Sequence, residues 1–394
     1  MKNWDVKKLG EVCSFFNGQA HEKCIDENGK YKLINSKFVS SEGEKFKKTN
    51  NALSPLYLND IVMVMSDVPN GKTLAKCFVV DEDDTYTLNQ RICVIRSKNF
   101  DTRFLYYQLN RNKYLLSFNN GENQSNLRKD DILNCELFVP PLPEQQRIVT
   151  ILDEAFAAIA KAKANAEQNL KNAKELFESY LQNVFETKGE GWEEKTLGEV
   201  LIKTETTDPT KKPNEEFVYL DVSSVNKETK EIENATVLLG KDAPSRARKL
   251  VRTNDVIFAT VRPTHSRVAL ITEEYNEQVC STGYFVLRAK EFLSNNLVFY
   301  FLLTYSFNKQ MEKLQKGASY PAVTDSEVKG IYISFPKSIK EQQAIVQKLD
   351  ALSAETKKLE AIYQQKINDL EELKKSVLQK AFSGELKTKG VINV

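Results

Sequence analysis

Histidine is nearly absent: the 394-residue chain holds two, His21 and His265. That scarcity removes most triad and metal-hydrolase chemistries, which need imidazole as base or ligand. Long apolar runs are missing as well, and the mean hydropathy of -0.46 argues against a membrane span, which takes about 18 or more consecutive apolar residues. The opening residues Met1 to Asp5 lack the apolar stretch and cleavage site of a secretory signal, so a cytoplasmic protein is expected. Neither charge dominates. Lys+Arg number 56 against 54 Asp+Glu, a net +2, so any surface for a polyanion must be local. Six cysteines (Cys13, Cys24, Cys77, Cys93, Cys135, Cys280) show no regular spacing. They are expected as reduced thiols and not as a disulfide framework.

Catalytic signatures are equally thin. Gly71-Lys72-Thr73 has Ser66 where a phosphate loop needs its first glycine, which excludes a nucleotide-hydrolysing motor. Val139-Pro140-Pro141-Leu142 lacks the asparagine of an adenine-methylating segment, and Phe16-Asn17-Gly18-Gln19 is too slight for an S-adenosylmethionine turn. Cys13, His21 and Cys24 have ligand-like spacing without a fourth partner. Their ordinary reading is buried thiols and a surface histidine.

What the chain does contain is itself, twice. Trp4-Asp5-Val6-Lys7-Lys8-Leu9-Gly10-Glu11-Val12 returns as Trp192-Glu193-Glu194-Lys195-Thr196-Leu197-Gly198-Glu199-Val200, an offset of 188. Asn59-Asp60-Ile61-Val62 matches Asn254-Asp255-Val256-Ile257 at 195, and Glu144-Gln145-Gln146 matches Glu341-Gln342-Gln343 at 197. Each copy opens with a variable part. There, runs such as Ile61–Met65, Ile92–Ile95, Val256–Val261 and Tyr284–Leu287 read as buried strands, and Leu105–Leu109 and Val298–Leu303 as helical. The fold class is α+β: two globular mixed α/β domains joined by two long helices forming an antiparallel coiled coil, with a pseudo-twofold internal repeat. Domain one is 1–142, the central helix 143–188, domain two 189–338, and the C-terminal helix and tail 339–394.

The helices are legible from their apolar seams, which step alternately by three and four. The first runs Ile148, Leu152, Ala155, Ile159, Ala162, Ala166, Leu170, Ala173, Phe177, Tyr180, Val184. The second runs Ile345, Leu349, Leu352, Thr356, Leu359, Tyr363, Ile367, Leu370, Val377, Ala381. Where the first has alanines (Ala155, Ala162, Ala166, Ala173), the equivalent positions of the second hold Leu352, Leu359, Tyr363 and Leu370, and a narrow helix facing a bulky one suits an intramolecular pair. A helix of about 40 residues rises about 60 Å, giving an expected dumbbell with its termini close together.

Local clusters supply candidate ligand groups. Arg246, Arg248, Arg262, His265 and Arg267 gather in the second variable part, and Lys72 with Asn70 in the corresponding loop of the first. Asn89, Gln90, Arg91, Asn123, Gln124 and Arg128 offer amides and guanidinium groups of the kind that pair with adenine and guanine edges. Ser319 and Tyr320 stand in the matching loop of the second copy. Contact with nucleic acid is one reading of these clusters and of the loops after Val64-Met65 and Thr260-Val261 and around 123–128 and 319–320; solvated charge and turn chemistry by asparagine and glycine are the other.

This layout resembles the specificity subunit of Type I restriction–modification systems. The resemblance rests on the doubled Glu-Gln-Gln-x-Ile-Val-x-x-Leu-Asp segments, the Pro140 to Val149 opening, Leu378 to Leu386, Ala243 to Arg248 and Thr260 to Pro263. Phe335 to Lys340 departs from the Pro-Pro-Leu-Pro approach of the first copy, which changes a linker only. The resemblance implies two target recognition domains reading a bipartite, asymmetric site in double-stranded DNA, with the helices as ruler. It implies two modification subunits that methylate adenine with S-adenosylmethionine, and restriction subunits using ATP and Mg. This chain itself would hold no cofactor or metal, catalyse nothing and touch no membrane. The competing reading is a coiled-coil scaffold with two protein-binding domains.

Overall fold

The computed structural model describes residues 4–68, 71–97, 99–119, 121, 124–383 and 385. The chain divides into two compact units, residues 1–165 with 367–394, and residues 166–366. Each contains part of both long helices, Leu142–Glu186 and Ile339–Phe382. No described helix is long and apolar enough to cross a membrane.

In the first unit, the four-stranded antiparallel sheet runs Ser14–Asn17, Ile92–Arg96, Ile61–Val64, Cys77–Val79. All four residues of Ile61–Val64 are buried, as expected of a β-branched run covered on both faces. A second sheet places Tyr31–Ile34 between Lys47–Thr49 and Tyr86–Leu88. In the second unit Val256–Ala259 occupies the corresponding position, between Val268–Leu270 and Tyr284–Leu287. Its other sheet orders Thr236–Leu239, Glu216–Leu220, Val279–Ser281, Ala247–Leu250.

Each sequence echo marks one physical tie. Leu9 and Leu197 are fully buried, and their N–H groups donate to Cys135 O and Ile331 O, both at 2.8 Å. Gly10 and Gly198 follow because a Cβ there would lie 3.2 Å from Leu133 Cβ and 3.3 Å from Lys329 O. Asp60 and Asp255, 4% and 1% exposed, each receive a two-pronged arginine, Arg96 at 2.6 and 2.8 Å and Arg288 at 2.6 and 2.7 Å. Both carboxylates also accept a backbone N–H, from Tyr57 and Arg252. Asn59 and Asn254 just before them share a left-handed φ of 71° and 69°, which asparagine tolerates better than most residues.

The repeated glutamines sit at the heads of the long helices. Gln145 Nε2 donates to Pro140 O at 2.8 Å, and its Oε1 accepts from Asp101 N at 2.8 Å. Gln342 repeats this, donating to Pro336 O and Phe292 O and accepting from Ser294 N. One turn or two further on, Tyr107 donates to Asp153, and Tyr300 donates to Asp350 at 2.5 Å.

In the first unit the two helix segments run antiparallel. Lys374 lies over the Phe156 ring and Lys163 pairs with Glu371 at 2.6 Å, so rising numbers on one helix meet falling numbers on the other. Val377 and Ala381 share a core with Ile148, Leu152 and Ala155. In the second unit Leu181 and Phe185 share one with Val346 and Leu349. The seam departs from its expected course here. Leu181 and Phe185 are buried while Tyr180 is 36% exposed, because steps of four from Ala173 turn the stripe toward Tyr300 and Phe301. Leu359, expected in the second seam, is 38% exposed.

His21 also departs from expectation. It is completely buried, with Nδ1 against Gln19 O at 2.7 Å and Nε2 against the Thr87 hydroxyl at 3.1 Å. Both ring nitrogens are thereby engaged, and Cys13 and Cys24 are half-buried. Among the described residues no group of three or more histidines, cysteines or acids could hold a metal. Burial pushes the Cys93 and Cys280 thiols up to about 12, far from a reactive thiolate.

Replacing Gln342 by alanine leaves the buried Pro336 carbonyl and the part-buried Ser294 N–H and Phe292 carbonyl without their partner, a buried group so orphaned costing about 1–3 kcal/mol. Denaturant unfolding of the full chain should therefore show Gln342→Ala destabilised by at least about 2 kcal/mol, with exposed Gln343→Ala unchanged. Equal midpoints for the two variants would refute this role.

Candidate nucleic-acid interface

Three loops converge at one edge of the first unit. Strand Ile61–Val64 continues through Met65 into Ser66–Asp67, which pairs with Ser125–Asn126. Leu127 N donates to Met65 O at 2.7 Å, and Met65 N donates to Arg91 O at 2.9 Å. The loops at 65–74, 89–91 and 124–128 are thus laced together through a single residue. Gln124 Nε2 donates to Ser66 Oγ at 2.8 Å, Asn89 Oδ1 accepts from His21 N, and Gln90 Nε2 donates to Glu22 at 2.8 Å. Lys72, Arg91 and Arg128 are exposed. Asn70 and Asn123 lie outside the described residues.

Asp67 organises the longest of these loops. Its carboxylate accepts from Val68 N, Thr73 N and Leu74 N at 2.9, 2.6 and 3.0 Å. Burial alone would raise its pKa, but these donors outweigh burial and hold the carboxyl below its ordinary range. A Cβ at Gly71 would stand 2.2 Å from that carboxylate, so the loop closes only around glycine. Arg111, in left-handed conformation, donates to Lys72 O and Leu74 O at 3.0 and 3.1 Å from the other side.

The second unit repeats the lacing with different chemistry. Val323 N donates to Thr260 O at 2.9 Å, Thr260 N donates to Gly283 O at 2.9 Å, and Val261 bridges Ala322. Thr282 N donates to Arg246 O at 2.8 Å, which brings Arg246 to the same edge. The turn Pro263–His265 is flanked by Arg262 and Ser266, both left-handed with φ 51° and 47°. Asn308 Nδ2 donates to Ser266 Oγ at 2.6 Å and Thr264 O at 3.3 Å, and Lys230 Nζ donates to Ser266 O at 2.8 Å. Gly121 and Gly317, with φ 74° and 102°, begin the bracing loop in each unit.

The cations at this edge fall into two groups. Arg248 is paired with Asp208 at 3.0 Å, and Arg267 donates to Val225 O. Arg246, Arg262 and His265 are exposed and, among the described residues, make no side-chain hydrogen bond or ion pair. Arg262 lies over the Tyr320 ring at 5.2 Å, and Tyr320 is 73% exposed. Ser319 is exposed beside it.

The family model described as "Type I restriction modification DNA specificity domain" matches residues 1–171 and 189–372. The chain belongs to this family. Its two matched segments are the two sequence copies. Among relatives, the MjaVIII specificity subunit of Methanocaldococcus jannaschii is 22% identical over 99% of this chain and 94% of its own. The Type I restriction enzyme EcoDI specificity subunit of Escherichia coli is 22% identical over 98% and 89%. A solved structure described as "Structural basis underlying complex assembly and conformational transition of the type I R-M system" superposes with a TM-score of 0.77 at 19% identity, covering 98% of this chain and 99% of that one. That likeness shows the fold. The specificity family is non-catalytic; the candidate edge of this chain carries exposed polar and cationic groups, a ring and bracing residues.

Four bracing residues of this specificity chain were invisible in the sequence: Asp67, Arg111, Lys230 and Asn308. Asp67 reaches Thr73 and Leu74, 6 and 7 residues on, and the other three reach partners 36 to 44 residues away, so no local pattern announces them. Because Asp67 is held ionised, its contribution is present above the ordinary carboxylate range near pH 4 and lost as pH falls below it. Asp67→Ala should speed amide exchange across 71–76 while the buried strand Ile61–Val64 keeps its protection. Unchanged exchange in that loop would refute Asp67 as its organiser.

Proposed function

We propose that this chain is the DNA-reading subunit of a Type I restriction–modification complex. Each unit presents one edge of laced loops to one half of a bipartite, asymmetric site in double-stranded DNA. The observation that carries this reading is the duplicated lacing through Met65 and Thr260, which sets exposed side chains of different chemistry on equivalent frames. Phosphate contacts from arginine and lysine supply most DNA affinity, while base edges supply sequence information. Lys72, Arg91, Arg128, Arg246, Arg262 and His265 are assigned to direct contact, with Asn70, Asn123, Ser319 and Tyr320 in the same loops. Asn89, Gln90, Gln124, Arg248 and Arg267 have partners within the fold, which suits a positioning role.

The recognition domains are residues 1–142 and 189–338; 143–188 is the central helix and 339–394 the C-terminal helix and tail, and the exposed flanks of the helices hold two modification subunits. Those subunits would bring S-adenosylmethionine to adenine, and restriction subunits would bring ATP and Mg. The protein would work in the cytoplasm. With a net charge of only +2, the chain needs such partners to share the electrostatic work of holding a duplex.

The test is duplex binding by the full chain in complex with its modification subunit. Affinity for the cognate site should fall steeply between about 50 and 200 mM salt and exceed that for other duplexes by at least about 10³-fold. Arg246→Ala should lower the log–log salt slope by about one if it neutralises a phosphate. Exchanging residues 189–338 for those of another family member should alter one half of the methylated motif only. A protein-binding scaffold would give equal affinity for every duplex and no such exchange.

A further inference from the structure

We propose that Arg262 reads a guanine in the half-site served by the second unit, with Tyr320 as the platform that fixes its guanidinium plane. This rests on the DNA-reading function above and assigns a base to one side chain of that site.

The first support is the backbone. Left-handed conformations at two flanking non-glycine residues, Arg262 and Ser266, are unfavourable and persist only where surroundings over-determine them. Here they do. Arg262 N donates to Pro321 O at 2.7 Å, Asn308 and Lys230 hold Thr264 and Ser266, and Arg267 ties the exit to Val225. Pro263 between them is buried. The backbone of this turn is anchored at both ends, while the side chains of Arg262 and His265 are exposed.

The second support is the pairing with Tyr320. A guanidinium stacked on a ring has its plane defined while its N–H donors, which lie in that plane, stay available. Guanine offers two acceptors, O6 and N7, side by side on its major-groove edge, the match for such a fork. A phosphate would also accept the fork. Phosphates, however, recur along the strand and tolerate displacement, so they do not call for a strained turn braced from three sides. A base edge occurs at one place and does.

The third support is the other unit. At the position of Arg262 stands Asp67, whose carboxylate faces its own loop, and at that of Tyr320 stands Gln124, bonded to Ser66. Among the described residues this cation over a ring stands at the second unit's position and not at the equivalent one of the first, which fits an asymmetric site, and the guanine should appear in one half-site through this contact.

The test uses the full chain with its modification subunit. Adenine methylation is mapped genome-wide in a host carrying the wild type, Arg262→Ala, Arg262→Lys or Tyr320→Leu. The wild type should give two separated half-sites. Both Arg262 variants should relax a single guanine position in one half and leave the other half intact, and Tyr320→Leu should do so more weakly. In binding with the unaltered protein, 7-deazaguanine at that position removes the N7 acceptor and should weaken affinity about 5- to 150-fold, with no further loss in Arg262→Ala. Uniform loss over all sequences, or a motif indifferent to Arg262, overturns the guanine assignment while the DNA-reading function stands. Absence of any bipartite motif in the wild type overturns the function itself.

Discussion

A single buried amide at the head of each long helix, Gln145 and Gln342, sets the register from which the rest of each unit follows. The side chain is one of the few that can donate and accept at once, and both capacities are used on backbone groups of the globular part. A leucine would bury as much apolar surface but leave those groups without partners, at a cost comparable to the gain. The amide therefore fixes where the helix starts relative to the sheet. The tyrosine–aspartate ties on the same helices, Tyr107 to Asp153 and Tyr300 to Asp350, then fix its rotation. With start and rotation set, the loops at the far edge of the sheet inherit their places from strands that have no freedom left.

From that frame the two units diverge only where divergence is cheap. The buried strands, the aspartate–arginine pairs and the leucine plugs are repeated, because altering one leaves an orphaned charge or a void. The loops laced at Met65 and Thr260 are tied mainly through backbone groups, and backbone ties tolerate almost any side chain. A reader of variable sequences benefits from that arrangement: the attachment is indifferent to identity while the presented groups are free to change. The +7 difference between the copies, an offset growing from 188 to 195, falls before Asp255, in the region that includes the turn around Lys230 and so braces the second unit's tip.

Much of this was legible in the sequence. The repeat, the helices and the four loops could be read because the residues that make long-range ties, glutamine beside a helix start or asparagine-aspartate before a strand, are themselves in recurring strings. The course of the first seam around Tyr180 was not, since periodicity describes a helix facing another helix and not one turning toward a sheet domain; Phe177 and Phe185 pack on Tyr300 and Phe301, and Leu181 is buried where Tyr180 was expected. His21 was misplaced for a related reason. An isolated polar residue in a loop reads as exposed, and only the fold brings Gln19 and Thr87 to its two nitrogens. Within the candidate site the cationic residues of the loops were visible, but not the bracing Arg111 and Lys230, nor the division among the rest. Arg248 and Arg262 look alike in sequence, and Asp208, forty residues before Arg248, is what separates them.

That division bears on how specificity arises in a nearly neutral chain. Guanidinium groups already paired inside the fold add little to long-range attraction, and those left unpaired are few. With so few, non-specific affinity from this chain alone must be weak, and discrimination must come from how firmly each one is aimed. Rigidity substitutes for number: a side chain presented from a braced turn loses less conformational entropy on contact than one on a mobile loop. Lys230 shows the same economy from behind the surface, its ammonium pushed below the ordinary lysine range by burial yet used to hold the Ser266 carbonyl rather than to meet a ligand. A cation is thus withdrawn from the electrostatic surface to stiffen the turn that presents another, which is sensible only where placement matters more than charge.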